Sequence, residues 1–124
     1  PQGLPILDLV FLGMGEDGHT ASLFPGTAAL QEDKRIVTVG HAPTGIRSRL
    51  TVTLGVLNHA AVVLFLVTGS GKDQMVRRVL NQESEADRSL PAARILPASG
   101  RLVWMLDHSA AQQLKKTSSP QGET

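Results

Sequence analysis

Apolar residues recur along this chain in short runs, each broken by glycine, proline or a polar cluster. Ile6 to Leu12 is nearly continuous in Ile, Leu, Val and Phe, with Asp8 the exception, and predicts a strand buried on both faces that Gly13 ends. Thr20 to Phe24 has room for one or two helical turns at most before Pro25 and Gly26, and Thr27 to Lys34 is a polar connection. Arg35 to Val39 is β-branched and predicts a short strand, followed by a loop through Gly40, Pro43 and Gly45. Leu50, Val52 and Leu54 alternate with Thr51 and Thr53, the period of a strand with one face toward a core.

The second half repeats the theme. Ala61 to Val67 predicts another fully buried strand, and Thr68 to Gly71 is a second glycine turn. Beyond it Met75, Val76, Val79 and Leu80 share one helical face, from which Arg77 and Arg78 lie off. Asn81 to Arg88 is expected to be a surface loop, and Leu90 to Pro97 short and irregular. Leu102 to Leu106 is a last apolar run, after which Asp107 is a candidate N-cap for a helix from His108 to about Lys116. Residues 117–124 are expected to be a disordered tail. Strands alternating with helices favour an α/β fold with a parallel sheet, in which ligands sit beyond the carboxyl ends of the strands. Both glycine turns fall at such ends.

Composition narrows the function classes. The 124 residues fit one domain, with 41% hydrophobic and 19% charged residues. Twelve basic residues against eleven acidic leave a net charge of +1, too weak a field to attract nucleic acid or a membrane surface. Aromatic residues make up only 3%, too few for a base-stacking platform. Cysteine is absent, which excludes disulfides, thiolate metal sites and a cysteine nucleophile. No apolar run reaches the roughly 18 residues that a membrane-spanning helix requires. Pro1 stands where a complete chain would start with methionine, and a strand follows almost at once, so the chain is expected to be a piece of a longer one.

The candidate chemistry gathers around the first glycine turn. Gly13, Gly15 and Gly18 match the dinucleotide pattern G-x-G-x-x-G after a strand. A pyrophosphate, however, needs a long helix directly after the third glycine; Pro25 interrupts here, and Glu16 and Asp17 would repel the ligand. A calcium loop fails because Phe24 occupies the place of its terminal glutamate, and a zinc site lacks a third nitrogen or sulfur ligand near Asp17 and His19. The remaining readings are a general base, His19, oriented by Asp17, or a loop histidine that merely caps local backbone. At the second turn, TGSGK is no nucleotide P-loop, since Leu66 replaces its first glycine and Asp73 its Ser or Thr. A glycine turn and Lys72 at a helix start nevertheless suit a phosphate monoester, against the plainer reading of a solvated lysine. Arg47 and Arg49 are further candidate anion contacts, although loop arginines are usually solvated.

LDLVFLGMGEDGHTASLFPG resembles the signature of the 6-phosphogluconolactonases nearly residue for residue. The resemblance continues, in the family's order, through SRLTVTLGVLNHAAVVLFLVTGSGK and LPAARILPASGRLVWMLD. It implies hydrolysis of 6-phospho-D-glucono-1,5-lactone to 6-phosphogluconate in the cytoplasm, with no metal and no cofactor. It also implies a Rossmann-like parallel sheet with helices on both faces. Carried over by position, His19 would activate water, Asp17 would orient His19, Lys72 would hold the 6-phosphate, and Arg49 would be a less secure anion contact. Gly13, Gly15 and Gly18 would shape the loop against the substrate.

Two departures qualify the resemblance. Gly55 stands where relatives commonly have proline, and the Ser-Gly-Gly-Ser-Thr-Pro phosphate loop and Asp-Glu-Arg motif of the family's first half are absent. Residues 1–116 are therefore expected to be the C-terminal portion of one domain, inactive alone, with an unpaired sheet edge and exposed apolar faces where the missing N-terminal half would pack. The rival enzymes are the glucosamine-6-phosphate deaminases and related ring-opening isomerases, which share G-x-D-G-H but continue with Phe-Asn-Glu-Pro. Ser22, Leu23, Phe24 and Pro25 stand in that place here. A noncatalytic phosphosugar-binding module is the alternative from another class.

Overall fold

The computed structural model describes residues 3–114. Three strands, β1 (Val10–Leu12), β4 (Val62–Val67) and β5 (Arg101–Leu106), form a parallel sheet in the order β1-β4-β5. Between the first two, β2 (Val37–His41) and β3 (Ser48–Val52) pair antiparallel as a separate hairpin, and α1 (Leu54–Leu57) leads into β4. Between β4 and β5 come α2 (Asp73–Asn81) and α3 (Glu85–Arg88), and α4 (His108–Ala111) follows β5.

One face of the parallel sheet is covered. Val63, Phe65 and Val67 point into a core that Leu12, the α1 residues Leu54 and Leu57, the α2 residues Val76 and Val79, and Ala110 of α4 complete. Across the strands Phe65 stacks on its register partner Trp104, with ring centroids 3.9 Å apart and planes within 5°, which adds ring contact to the area buried. The helical periodicity read in α2 is borne out, with Val76 and Val79 buried and Met75 and Leu80 packed at the margin.

The other face is open. Phe11 is 68% exposed, Leu66 57% and Met105 52%, on three neighbouring strands. The expectation of strands buried on both faces is thus corrected for β1 and β4: period 2 places alternate side chains on opposite faces, and among the described residues only one face has a layer of helices against it. The first strand is also shorter than the apolar run, because Ile6, Leu7 and Leu9 lie outside the ladder and are exposed. An apolar face and edge of this kind were expected of a partial domain.

The hairpin departs from its predicted pattern at Leu50, while Val52 and Leu54 pack on the core as expected. Leu50 is 76% exposed, whereas Thr51 and Thr53 are buried. Their hydroxyls make burial tolerable: Thr53 Oγ1 donates to Arg35 O at 2.7 Å, and Thr51 Oγ1 donates to Val52 O at 2.9 Å. The strand predicted at Arg35 to Val39 is displaced to Val37–His41 by this pairing.

Asn81 to Arg88, expected as a loop, contains α3. Ser84 caps it by accepting from Asp87 N at 3.1 Å, and Asp87 pairs with Arg78 Nε at 2.6 Å. The Arg78 guanidinium holds the Asp87 carboxyl below its usual range. Thr20 to Phe24 forms a tight turn closed by a Thr20–Leu23 bridge rather than a helical turn. Asp107 caps α4 as predicted, accepting from Ala110 N at 2.8 Å, but α4 is a single turn; Lys116 and the tail lie outside the described residues.

Candidate active site

β1 and β4 are parallel neighbours, so the turns that follow them lie side by side. Together they line a cavity of about 510 Å³ whose wall includes Gly13, Met14, His19, Ala21, Thr68 and Lys72. The two residues singled out in separate turns, His19 and Lys72, therefore face one space.

The first turn is built around the imidazole. Gly15 N donates to His19 O at 2.9 Å and Gly18 N to Gly15 O at 3.0 Å, which closes the loop on itself. A Cβ on Gly15 would collide with the Cε1 and Nδ1 atoms of the His19 ring, so the absence of a side chain there makes room for the histidine. Gly18 has φ +86°, with Leu90 and Met75 close by, and serves to reverse the chain. Over Gly13 the space is open. Gly15 and Gly18 thus have separate geometric reasons, neither of them a helix N-terminus.

Asp17 accepts twice from the histidine. His19 Nδ1 lies 2.5 Å from Asp17 Oδ1, and the His19 amide donates to the same oxygen at 3.0 Å. Partial burial by itself would raise the Asp17 carboxyl, but the side-chain and backbone hydrogen bonds from His19 outweigh it and bring the group below its ordinary range. An ionised Asp17 can only accept, so Nδ1 is the nitrogen that donates to it, and in the neutral ring Nε2 is then the acceptor. Asp17 and His19, singled out by their spacing, are in contact. On the ring, Phe24 lies 4.4 Å away between centroids at 32°.

Lys72 closes the opposite wall. Its Nζ donates to Met14 O, tying the second turn to the first and leaving two donors for a ligand. Gly69, at φ +97°, shapes that turn; its amide donates to the Asp107 carboxylate at 3.1 Å and 3.2 Å. Arg49 is not brought to the cavity wall. Its guanidinium lies over the Phe24 ring at 5.5 Å, and its Nε donates to Ile46 O. Glu16 is exposed, with Oε2 near Gly71. Among the described residues no three His, Cys, Asp or Glu side chains cluster as a metal site would need.

Sequence reasoning missed the turn after the histidine. Ala21, on the cavity wall, has φ +52° and carries no signal in the sequence. Thr51 reaches the same turn, accepting from Ser22 N at 3.1 Å. Its alternation with leucines masked the inward direction of its hydroxyl.

Comparison with known proteins gives the following likenesses. A family model described as glucosamine-6-phosphate isomerases/6-phosphogluconolactonase matches residues 1–104. The rat and human proteins named 6-phosphogluconolactonase are 46% and 45% identical over 112 residues, 90% of this chain but 42% and 43% of theirs. The chain thus spans about two fifths of the length of these curated relatives. Among solved structures, the 6-phosphogluconolactonase of Trypanosoma brucei superposes with a TM-score of 0.78 at 32% identity over 90% of this chain and 43% of that one. A monomeric glucosamine-6-phosphate deaminase superposes at 0.61 with 24% identity, over 85% of this chain and 47% of that one, a likeness of fold.

Proposed function

Since the chain belongs to the glucosamine-6-phosphate isomerase/6-phosphogluconolactonase family, we propose that it is the histidine-bearing portion of a 6-phosphogluconolactonase. The reaction is hydrolysis of 6-phospho-D-glucono-1,5-lactone to 6-phosphogluconate in the pentose phosphate pathway, carried out in the cytoplasm. The observation that carries this reading is the Asp17–His19 pair on the same cavity as Lys72.

In the proposed mechanism His19 Nε2 takes a proton from water as the water oxygen bonds to the lactone carbonyl carbon. Asp17 steadies the imidazolium that forms. When the tetrahedral intermediate collapses, the bond to the ring oxygen breaks and the imidazolium returns its proton to that oxygen. The new carboxylic acid then ionises to solvent. Lys72 holds the 6-phosphate, a role its two remaining donors and positive charge suit. Arg49 contributes only if the missing part of the domain or the substrate draws it off Phe24.

Residues 1–116 form, in this reading, the C-terminal portion of one domain. An N-terminal half, corresponding to the part of the relatives beyond the match, covers Phe11, Leu66 and Met105 and completes the phosphate site. The lactonase reading is favoured over the deaminase by the 45–46% identity to proteins named lactonases and by the lack of an acid at Ser22 to Pro25.

The test is lactone turnover, corrected for spontaneous hydrolysis, in a protein that joins this chain to the N-terminal half of a close relative. His19→Ala should reduce kcat by about 10² to 10⁴-fold, and the chain alone should be inactive. An unchanged kcat in the variant would remove His19 from the mechanism.

A further inference from the structure

The turn that follows His19 is held in a conformation that its own sequence disfavours. Ala21 has φ +52°, in the left-handed region where a Cβ crowds the backbone, and it lines the cavity two residues after the histidine. A strained residue persists only where its surroundings over-determine it. Three contacts do so here. Thr20 Oγ1 donates to Gly13 O at 2.8 Å, and Leu23 N donates to Thr20 O at 2.9 Å. The third comes from outside the turn: Ser22 N donates to Thr51 Oγ1 on β3 at 3.1 Å.

The hairpin is shaped to make that third contact. Thr51 is 4% exposed, with its own hydroxyl proton directed to Val52 O, so the lone pair facing Ser22 is fixed in direction. On β2, a Cβ at Gly40 would collide with Ser22 O, so only glycine lets the two segments come this close. Arg49, also on β3, lies over the Phe24 ring that abuts the imidazole. β3 turns Thr51 toward the site and leaves Leu50 outside.

We infer that Thr51 is a positioning residue: its buried hydroxyl clamps the Ser22 amide, holds Ala21 in the left-handed conformation and thereby fixes where His19 meets the substrate. This rests on the proposed role of His19 as base, and it adds the hairpin to the machinery of the reaction. Thr51 touches no substrate. Losing the clamp lets Ala21 relax toward an ordinary backbone conformation, which moves the cavity wall and the histidine while the parallel sheet stays intact.

The experiment uses the joined protein and three variants. Thr51→Val keeps the shape and removes the acceptor; kcat per folded molecule should fall about 10-fold or more, with KM changed less than threefold. Thr51→Ser restores the hydroxyl and should recover most of the loss. Adding Ala21→Gly to Thr51→Val should also recover turnover, because glycine adopts the left-handed conformation without the clamp. A role confined to stability would change folded fraction and Tm and would gain nothing from the glycine.

Amide hydrogen exchange separates this inference from the catalytic reading. In Thr51→Val the Ser22 amide should exchange at least 10-fold faster while the amide of Phe65 in the sheet is unaffected. Unaltered Ser22 exchange, or kcat within twofold of the parent, overturns the clamp. A His19→Ala enzyme that remains active overturns the base assignment instead, whatever Ser22 does.

Discussion

Two glycine turns at neighbouring strand ends meet one cavity, yet they are built differently. The turn after β1 is crowded and closed on itself: Gly15 gives its side-chain space to the His19 ring, and Asp17 binds the histidine through both ring and amide. The turn after β4 is roomier. No heavy atom comes within 4 Å of a Cβ on Gly69, and on Gly71 the first contact is Glu16 Oε2 at 3.5 Å. The difference matches the tasks proposed for them. Proton transfer needs an atom held to a fraction of an ångström, whereas a lysine on a flexible stem tolerates a looser mount, because an ammonium attracts phosphate as a point charge.

The largest break in this comparison should come from Gly15→Ala. The new methyl group must displace the imidazole, and kcat in the joined protein should drop about 10²-fold with little change in KM. Turnover close to the parent value would show that the ring has no fixed seat. Next comes Lys72→Ala, where loss of a charge-assisted contact should raise KM for the phosphorylated lactone about 10- to 100-fold. A lactone lacking the phosphate should be hydrolysed nearly as before, and equal losses on both substrates would place Lys72 elsewhere.

Acid sharpens the contrast at lower amplitude. The folded-state values of Asp17 and Asp107 are both lowered, so the unfolded chain binds more protons. Their contribution to stability is full above the ordinary carboxyl value of about 3.9 and is lost as pH falls through the lower folded values. A plot of Tm against pH should steepen below about pH 4 and flatten there in Asp17→Asn. An identical slope in that variant would mean that the Asp17–His19 pair contributes nothing to the folded state. The smallest effect is expected of Gly71→Ala, whose methyl would make only an ordinary contact; kcat and KM should both stay within about twofold. A large loss there would make the second turn as exacting as the first.

Much of this was legible in the residues. The two apolar runs before glycine turns gave parallel strands, the spacing of Asp17 and His19 gave the pair, and Asp107 gave a cap. What failed did so for tertiary reasons. The runs at β1 and β4 read as buried on both faces because a continuous apolar run does not say which face has a layer packed against it, and Phe11 and Leu66 are open here. Around β3 the alternation misled at Leu50 alone: Thr51 and Thr53 satisfy their hydroxyls on backbone carbonyls and are buried beside Val52 and Leu54, while Leu50 stays exposed. Helix α3 was hidden by its polarity, since Ser84 and the Arg78–Asp87 pair support it more than apolar burial does.

By itself, the sequence determined the local chemistry: which residues reverse the chain, which can hold a proton or an anion, and which family pattern they follow. Those depend on residue type and spacing over a few positions. Only the tertiary structure decided that His19 and Lys72 share one cavity, that Arg49 lies on Phe24, and that Thr51 grips the turn bearing Ala21. These join residues about 25 to 53 positions apart, and the pairing of β1 with β4 and of β2 with β3 sets their distances.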